Sequence, residues 1–241
     1  MNVQSNTYTY LYSTVIVLAV AIGLAVVSTA LKSAQDKNVE VEKKQNILAS
    51  LHVHSDRTNA AKLYSEYIID SYTLNSKGEK IKGIDPFDIN LRTEMKKSKA
   101  KRNLPAFEAK KGDSSFVVIP VYGKGLWGPI WGYVSFRKEV KVAKGLPHFN
   151  TIYGVMFDHK GETPGLGAEI SQPFFMKPFR GKQIFDKKGV FVSVKVVKGG
   201  SDPSSTHQVD AISGGTITSK GLQAMLDSCL VSYQSFFKLN N

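Results

Sequence analysis

An uncharged run of 21 residues near the amino terminus limits what this chain can fold into more than any other feature does. Residues 11–31 contain no Asp, Glu, Lys or Arg. As a helix the run spans roughly 31 Å, the thickness of a bilayer hydrocarbon core. Tyr8, Tyr10 and Tyr12 stand at one end, where aromatic side chains mark a membrane interface. We therefore expect a short tail over residues 1–10 and a transmembrane helix over residues 11–31 that contacts membrane lipid.

The flanks of this segment leave two questions open. A cleaved signal peptide, and hence a secreted protein, is disfavoured because no Lys or Arg precedes the run and the run is longer than a usual signal core. Lys32, Lys37, Lys43 and Lys44 follow the run, so the positive-inside rule favours a cytoplasmic location for the remaining chain. That rule carries little weight here, because long domains cross membranes regardless of local charge.

The rest of the chain divides into a stalk and a domain. Residues 32–55 are predicted to form a helical stalk, and residues 56–241 are enough to bury a core. Within the domain, residues 59–72 show a helical pattern, whereas residues 77–111 carry eleven Lys or Arg against five Asp or Glu. A solvated loop is the plainer interpretation of this basic stretch, and contact with anionic lipid or an acidic partner is the alternative. Without interleaved aromatic residues, nucleic-acid binding is not expected.

The second half of the chain alternates between β patterns and ends in a helix. Residues 115–122, 129–138, 150–158 and 190–197 are predicted strands. After Thr216, apolar residues recur at helical spacing and predict an amphipathic closing helix: Leu222, Met225, Leu226, Cys229, Leu230 and Tyr233. The expected fold class is α+β, with a single transmembrane helix followed by an antiparallel sheet on which helices pack.

The sequence contains no recognisable catalytic constellation. A single cysteine, Cys229, excludes an internal disulfide and any metal or iron–sulfur site built from cysteines alone. The histidines are scattered, and His52 and His54 are expected as a surface pair on the stalk. We therefore expect neither catalytic nor metal-ligating residues in this chain.

The first of three glycine-rich stretches joins two predicted strands. Gly123, Gly125 and Gly128 have the spacing of a dinucleotide-binding loop, but such a loop must open a helix, and Pro129 and a β pattern follow here. We therefore expect a strand–strand connection with Leu126 and Trp127 at its tip. An exposed Trp could stack on a flat ring, and a Trp folded back on the core is the equal alternative.

The second stretch covers residues 161–167. A proline and three glycines among polar residues predict a tight, exposed backbone that a ligand could approach closely, followed by the start of a helix. Its candidate site residues are Glu162, Thr163, Pro164, Gly165, Leu166 and Gly167.

The third stretch, residues 210–219, stands directly before the closing helix. Small and hydroxyl-bearing residues at a helix start leave backbone N–H groups free, and the helix dipole favours a phosphate there. The spacing of a P-loop is absent, and a simple helix cap with a glycine turn is the plainer alternative. The candidate residues are Asp210, Ser213, Gly214, Gly215, Thr216 and Thr218.

These motifs resemble a known family. Residues 213–218, Ser-Gly-Gly-Thr-Ile-Thr, are similar to the flavinylation motif of FMN-binding domains, Ser/Thr-Gly-Ala-Thr preceded by Asp. Gly215 stands where that motif usually has Ala. The segments GKGLWGPIWGY, GETPGLGAEI and PFRGKQI, and the order of anchor, stalk and β-rich domain, resemble the C-subunit family of the sodium-translocating NADH:quinone oxidoreductase.

The resemblance implies a covalent flavoprotein. FMN would be joined by a phosphoester to the hydroxyl of Thr216, in a reaction catalysed by a separate Mg²⁺-dependent flavin transferase that uses FAD as donor. Asp210, Ser213 and Gly214 would belong to the motif that this enzyme recognises, and Thr218 with the free amides would hold the phosphate. Leu126 and Trp127 would flank the flavin ring, with residues 163–167 on its other side.

The resemblance also implies a role in a larger enzyme. The chain would relay electrons between the redox cofactors of the other subunits (the A subunit, the membrane-embedded B, D and E subunits, and the NADH-oxidising F subunit) during quinone reduction and Na⁺ export, without a complete active site of its own. It would be anchored in the bacterial inner membrane with its flavin domain in the periplasm, contrary to the lysine count above. The alternatives are the G subunit of the ferredoxin:NAD reductase complex and a flavin-free, membrane-anchored binding or assembly module.

Overall fold

A computed structural model describes residues 3–239 of the chain. The chain divides into two compact units, Met1–Glu42 and Lys43–Asn241. The helices of the described part are α1 (Asn6–Ser50), α2 (Ala60–Tyr67), α3 (Leu91–Glu94), α4 (Pro173–Met176), α5 (Thr216–Leu230) and α6 (Gln234–Leu239). Its strands are β1 (Ile68–Leu74), β2 (Lys80–Ile81), β3 (Leu104–Lys111), β4 (Ser114–Lys124), β5 (Pro129–Arg137), β6 (Thr151–His159), β7 (Lys195–Val197) and β8 (Gln208–Asp210).

Helix α1 contains the apolar run and continues without a break into the stalk. Its most apolar 18-residue window has a mean hydropathy of 2.6 and no buried residue, so the helix is long and apolar enough to cross a membrane. Among residues 3–239 it is the only helix that meets this standard. The helix ends at Ser50, earlier than the expected end of the stalk at residue 55, because His52 takes a positive φ of 55° that interrupts the ladder.

The second unit is built on an antiparallel sheet. In the described chain its strand order is β2-β1-β3-β4-β5-β6. Most neighbouring strands are therefore consecutive in the chain and pair as hairpins. The predicted strands over 115–122, 129–138 and 150–158 are confirmed as β4, β5 and β6. The α+β fold class is therefore confirmed.

Two predictions before Ser115 were wrong in part. The helical pattern over residues 59–72 holds only to Tyr67, because the chain then enters β1 and pairs with β3. The basic stretch over 77–111 is not a loop throughout, because its last eight residues form β3 at the centre of the sheet. Basic residues on both sides of residues 104–107 hid the apolar pattern of this segment, in which Leu104, Ala106 and Phe107 pack into the core.

The predicted strand over residues 190–197 was also largely wrong. Only Lys195–Val197 is a strand, and it pairs in parallel with β8 outside the main sheet. Ser193 takes a positive φ of 59°, a conformation that cannot continue a strand. The alternating pattern of this segment therefore reflects a buried loop in which Val194 packs into the core.

Helices cover both faces of the sheet. The end of α1 contributes Ile47 and Leu48 to a core on one face. On the other face α5 packs against β4, and every apolar position predicted for the closing helix is buried. The sheet thus fixes where α5 begins, and the candidate flavin motif lies at that point.

Candidate functional site

The tip of the β4–β5 hairpin presents an exposed tryptophan. The N–H of Gly125 donates to the backbone oxygen of Gly128 at 2.8 Å and closes the turn. The Trp127 side chain is 71% exposed, and Leu126 is exposed beside it. The glycine spacing therefore belongs to a strand–strand connection, as the sequence indicated, and the open question about Trp127 is answered in favour of exposure.

Glu162 joins the three glycine-rich stretches. Its side chain is 4% exposed, and its Oε1 accepts hydrogen bonds from the backbone N–H groups of Trp127 at 2.8 Å and Gly128 at 3.3 Å. Its Oε2 accepts a short hydrogen bond from the Thr218 hydroxyl at 2.5 Å. One carboxylate therefore holds the hairpin tip, its own loop and the first turn of α5 together.

The hydrogen bonds around Glu162 decide its charge. Burial by itself raises the pKa of the carboxyl, but the hydrogen bonds from Thr218 and from the backbone of Trp127, Gly128 and Leu126 outweigh it and hold the pKa below its usual value. Glu162 is therefore ionised at neutral pH. A buried carboxylate with this many donors is stable only while all of them stay in place.

Glycines make this close arrangement possible. A Cβ on Gly125 would lie 2.5 Å from Glu162 Oε1, and a Cβ on Gly167 would lie 2.5 Å from Glu162 Oε2 and closer still to Thr218 Oγ1. Either added methyl group would displace the carboxylate. The close approach of Glu162 therefore requires glycine at Gly125 and Gly167, and contact of Gly167 with a ligand stays a prediction.

Thr216 is the first residue of α5 and is half-buried. Gly214 has a φ of 75°, which favours glycine, and Gly215 takes the N-cap position. The Ser219 hydroxyl accepts from the N–H of Ile212 at 3.1 Å and so fixes the turn that precedes the helix. The backbone N–H groups of the first helical turn have no partner within the helix and remain available to an anion.

Thr218 and Thr216 face different surroundings. Thr218 is 2% exposed, and its hydroxyl donates to Glu162. The Thr218 hydroxyl thus has a hydrogen-bond partner within the protein. Its expected contact with a phosphate stays a prediction. Thr216 instead lines an open cavity of about 400 Å³.

The residues of the flavin-like motif line two adjoining cavities. The first, of about 400 Å³, is formed by Lys198, Gly199, Gly200, Asp210, Ala211, Ile212, Ser213, Gly214 and Thr216. The second, of about 580 Å³, is formed by Gly165, Glu169, Phe174, Phe175, Pro178, Asp210, Ala211, Ile212 and Ser213. The exposed ring of Phe174 adds to the apolar surface near Leu166, whose side chain lies against Gly214.

Asp210 has a structural partner of its own. Its Oδ1 accepts from the backbone N–H of Ser201 at 2.5 Å, and this hydrogen bond is the main reason why its pKa lies below the usual value. Asp210 therefore anchors the turn after β7 to the motif after β8. Sequence reasoning missed Lys198, Gly199, Gly200 and Phe174, although a Lys-Gly-Gly turn directly after a strand was a readable signal.

The structure brings the predicted site residues together. Glu162 connects the hairpin tip to α5, and Leu166 connects residues 161–167 to Gly214. Thr163, Pro164, Gly165 and Leu166 are exposed on that loop. Within residues 3–239, no group of three or more His, Cys, Asp or Glu side chains could hold a metal ion.

Comparison with known proteins identifies this arrangement. Residues 125–231, which include the hairpin tip, the Glu162 loop and the start of α5, match the FMN-binding domain family. The chain is 31% identical to the C subunit of the Na(+)-translocating NADH-quinone reductase of Vibrio vulnificus, over 87% of this chain and 88% of that protein. It is 32% identical to the C subunit of Neisseria meningitidis serogroup B, over 87% and 85%.

The chain belongs to this C-subunit family. The crystal structure of the C subunit from Parabacteroides distasonis superposes with a TM-score of 0.74 at 40% identity, over 86% of this chain and 96% of that chain. Shewanella oneidensis NqrC superposes with a TM-score of 0.68 at 30% identity, over 86% and 98%. The resemblance drawn from the glycine-rich motifs is thereby confirmed.

The residues present fit FMN. The hydroxyl-bearing side chain of Thr216 lies in a cavity lined by glycines, by one lysine and by the start of a helix, a combination suited to a phosphate. The side chains of Leu126, Trp127, Leu166 and Phe174 are exposed, and Phe174 lines the adjoining cavity. Such surface suits a flat aromatic ring.

Proposed function

We propose that this chain is the electron-relay C subunit of a Na⁺-translocating NADH-quinone reductase complex and carries FMN as a phosphoester on Thr216. The position of Thr216 carries the proposal. It is the first residue of α5, it lines a cavity, and the matched FMN-binding region surrounds it. Of the three threonines on these loops, Thr218 is engaged with Glu162 and Thr163 lies outside the motif.

The attachment transfers the FMN part of FAD to the Thr216 hydroxyl. The Thr216 hydroxyl oxygen forms a bond to the FMN phosphorus of FAD, the pyrophosphate bond breaks, and AMP leaves with the pyrophosphate oxygen. The hydroxyl proton passes to a base of the flavin transferase or to water. The exposed motif on this chain supplies the acceptor, and the transferase supplies the Mg²⁺ and the donor site.

The site residues have separate roles in holding FMN. When bound, FMN supplies electron-transfer chemistry through its ring. Leu126 and Trp127 would hold the ring by apolar contact, Gly214 and Gly215 would let the backbone approach the phosphate, and Glu162 keeps the hairpin tip and the first turn of α5 in place. The described residues contain no dinucleotide-binding loop that opens a helix, so we assign NADH oxidation to another subunit.

We place the protein in the bacterial inner membrane through α1, with the flavin domain in the periplasm. The continuous apolar helix supports the anchor. The relatives named above support membership of a multi-subunit complex, in which we expect the A, B, D, E and F subunits as partners. Maturation would need a flavin transferase on the same side of the membrane as Thr216.

Affinity purification from the native membrane tests the complex. A tag at the amino terminus of the chain should recover the other subunits together with Na⁺-stimulated NADH-quinone reductase activity, and Thr216→Ala should recover the same subunits without that activity. Recovery of a ferredoxin-type partner instead would identify the ferredoxin:NAD reductase complex. Full activity in the Thr216→Ala complex would contradict the relay.

A further inference from the structure

The turn after β7 forms a wall of the cavity that contains Thr216. Strands β7 and β8 are parallel, with Val197 opposite Asp210, and the N–H of Ala211 donates to the Val197 oxygen at 2.8 Å. The carboxyl ends of two neighbouring parallel strands lie at the same edge of the sheet, so the segments that follow the strands begin next to each other. Residues 198–201 therefore lie next to the flavin-like motif, and Lys198, Gly199 and Gly200 line its cavity.

The two glycines of this turn are required by its backbone conformation. Gly199 and Gly200 have φ angles of 87° and 108°, and an added Cβ at either position would meet no other atom within 4 Å. The glycines therefore serve the backbone conformation and leave the cavity side open, rather than making room for a neighbouring side chain. Ser201 fixes the end of the turn through its hydrogen bond to Asp210.

The cavity that contains Thr216 has one negative and one positive side chain in its lining, Asp210 and Lys198. The pKa of Asp210 is held below its usual value, so its carboxylate is negative at neutral pH and lies on the wall of this cavity. A phosphodiester on Thr216 would bring one more negative charge beside it. Among the residues that line this cavity, Lys198 is the only cation, and its ammonium forms no hydrogen bond or ion pair with any residue of the described chain. The charge of Lys182 acts on Asp210, but the Lys182 ammonium donates to the Ser205 oxygen, and Lys182 is not among the residues that line the cavity.

We propose that residues 198–201 form a phosphate-binding turn: Lys198 and the backbone of Gly199 and Gly200 bind the phosphodiester on Thr216. The ammonium compensates the charge that the phosphodiester adds next to Asp210. Asp210 is accordingly a positioning residue, which holds the turn through the N–H of Ser201. This inference rests on the proposed attachment at Thr216 and names the group that stabilises it.

Lys198→Gln in the full-length chain tests the turn. The variants are co-expressed with an active flavin transferase, and the initial rate of FMN mass gain is followed in purified protein at low and high salt. Lys198→Gln should slow the gain roughly ten-fold at low salt, the scale of one charge-assisted hydrogen bond, with a smaller effect at high salt. Lys198→Arg should restore most of the rate. Lys195→Gln is the matched control, because Lys195 lies on β7 just before the turn, is exposed and pairs with Asp227 at 3.5 Å.

The ³¹P spectrum separates binding of the phosphodiester from recognition by the transferase. In fully loaded protein, Lys198→Gln should move the phosphodiester resonance, and Lys195→Gln should leave it in place. A slower gain with an unchanged resonance would overturn the inference, because Lys198 would then act on the transferase alone. An unchanged rate and resonance, or equal slowing by Lys195→Gln, would also overturn it. Absence of FMN from wild-type protein would instead contradict the attachment at Thr216.

Discussion

At the residue scale, one buried carboxylate organises the candidate site. Glu162 accepts hydrogen bonds from the hairpin tip and from Thr218, so it links segments that are far apart in the chain. Its position on a loop between two glycines suggested a ligand contact from sequence. Both of its oxygens accept hydrogen bonds from the protein, and its contact with a ligand stays a prediction.

Glu162→Gln should destabilise the domain by about 2–3 kcal/mol, because the amide replaces a charged acceptor and places a donor against the Thr218 hydroxyl or the backbone N–H groups. The midpoint of thermal unfolding should fall by about 5–10 °C in a domain of this size. Calorimetry of the full-length chain measures this. Glu169→Gln is the matched control, because Glu169 lies in the same region but accepts from a single exposed backbone N–H, that of Gly165. Equal losses in both variants would contradict the role of Glu162.

The same carboxylate predicts a pH dependence. Its pKa is lower in the folded protein than the value of about 4.3 expected in the unfolded chain, so the unfolded chain binds more protons between the two values. The contribution of Glu162 is fully present above about pH 4.3 and is lost as the pH falls through the folded value. The stability difference between wild type and Glu162→Gln should therefore shrink below about pH 4.3. A difference that stays constant from about pH 7 to about pH 3 would contradict this.

At the element scale, the close packing of α5 against the end of β4 sets the position of Thr216. A Cβ on Gly221 would collide with the backbone oxygen of Lys124, and a Cβ on Gly123 would lie 2.6 Å from the Met225 Cβ. Glycine at both contacts lets helix and strand approach more closely than side chains would permit. The first turn of α5 is thereby brought to the Glu162 loop.

The sign of the change in the free energy of unfolding caused by Gly221→Ala should reveal this contact. In an ordinary helix interior the change stabilises by about 1 kcal/mol, but here the collision with Lys124 should make it destabilising by about 1–3 kcal/mol. Denaturant unfolding of Gly221→Ala and of Lys220→Ala, an exposed neighbour on the same helix, measures the difference. A stabilising effect at Gly221 would contradict the close approach.

Elements with strong periodicity could be predicted from sequence, and elements defined by distant partners could not. The closing helix and strands β4, β5 and β6 were correct, because apolar spacing reports burial directly. Strand β3 was missed because the basic residues before it and the lysines at its carboxyl end masked its buried first half. The glycines after Lys198 signal a turn, but its place beside Thr216 could not be predicted, because that place depends on the parallel pairing of β7 with β8.

At the scale of the whole molecule, the chain combines an apolar helix with a domain of the FMN-binding family. Helix α1 is long and apolar enough to span a membrane, and the domain carries the FMN-binding match. The lysines after the apolar run favour a cytoplasmic domain, and the resemblance to the C-subunit family favours a periplasmic one. The side of the membrane on which Thr216 lies decides where flavin is attached.

The single cysteine offers a clean topology measurement. Cys229 is buried, and burial raises the pKa of its thiol to about 11, so it should not react with a maleimide in the folded protein. A cysteine introduced by Ser98→Cys, at an exposed position, should be labelled in intact cells by a membrane-impermeant maleimide that enters the periplasm. Wild-type protein should be labelled only after unfolding. Labelling of the Ser98→Cys variant only after the inner membrane is opened would place the domain in the cytoplasm.

The intact mass of the denatured protein shows whether Thr216 carries FMN. Wild-type chain, Thr216→Ala and Thr218→Ala are each co-expressed with an active flavin transferase, and the mass and in-gel flavin fluorescence are compared. We predict a gain of one FMN phosphoester in wild type and none in Thr216→Ala. Thr218→Ala should still gain FMN, because Thr218 faces Glu162 rather than the cavity. An added mass that survives in Thr216→Ala, or no added mass in any chain, would contradict the account.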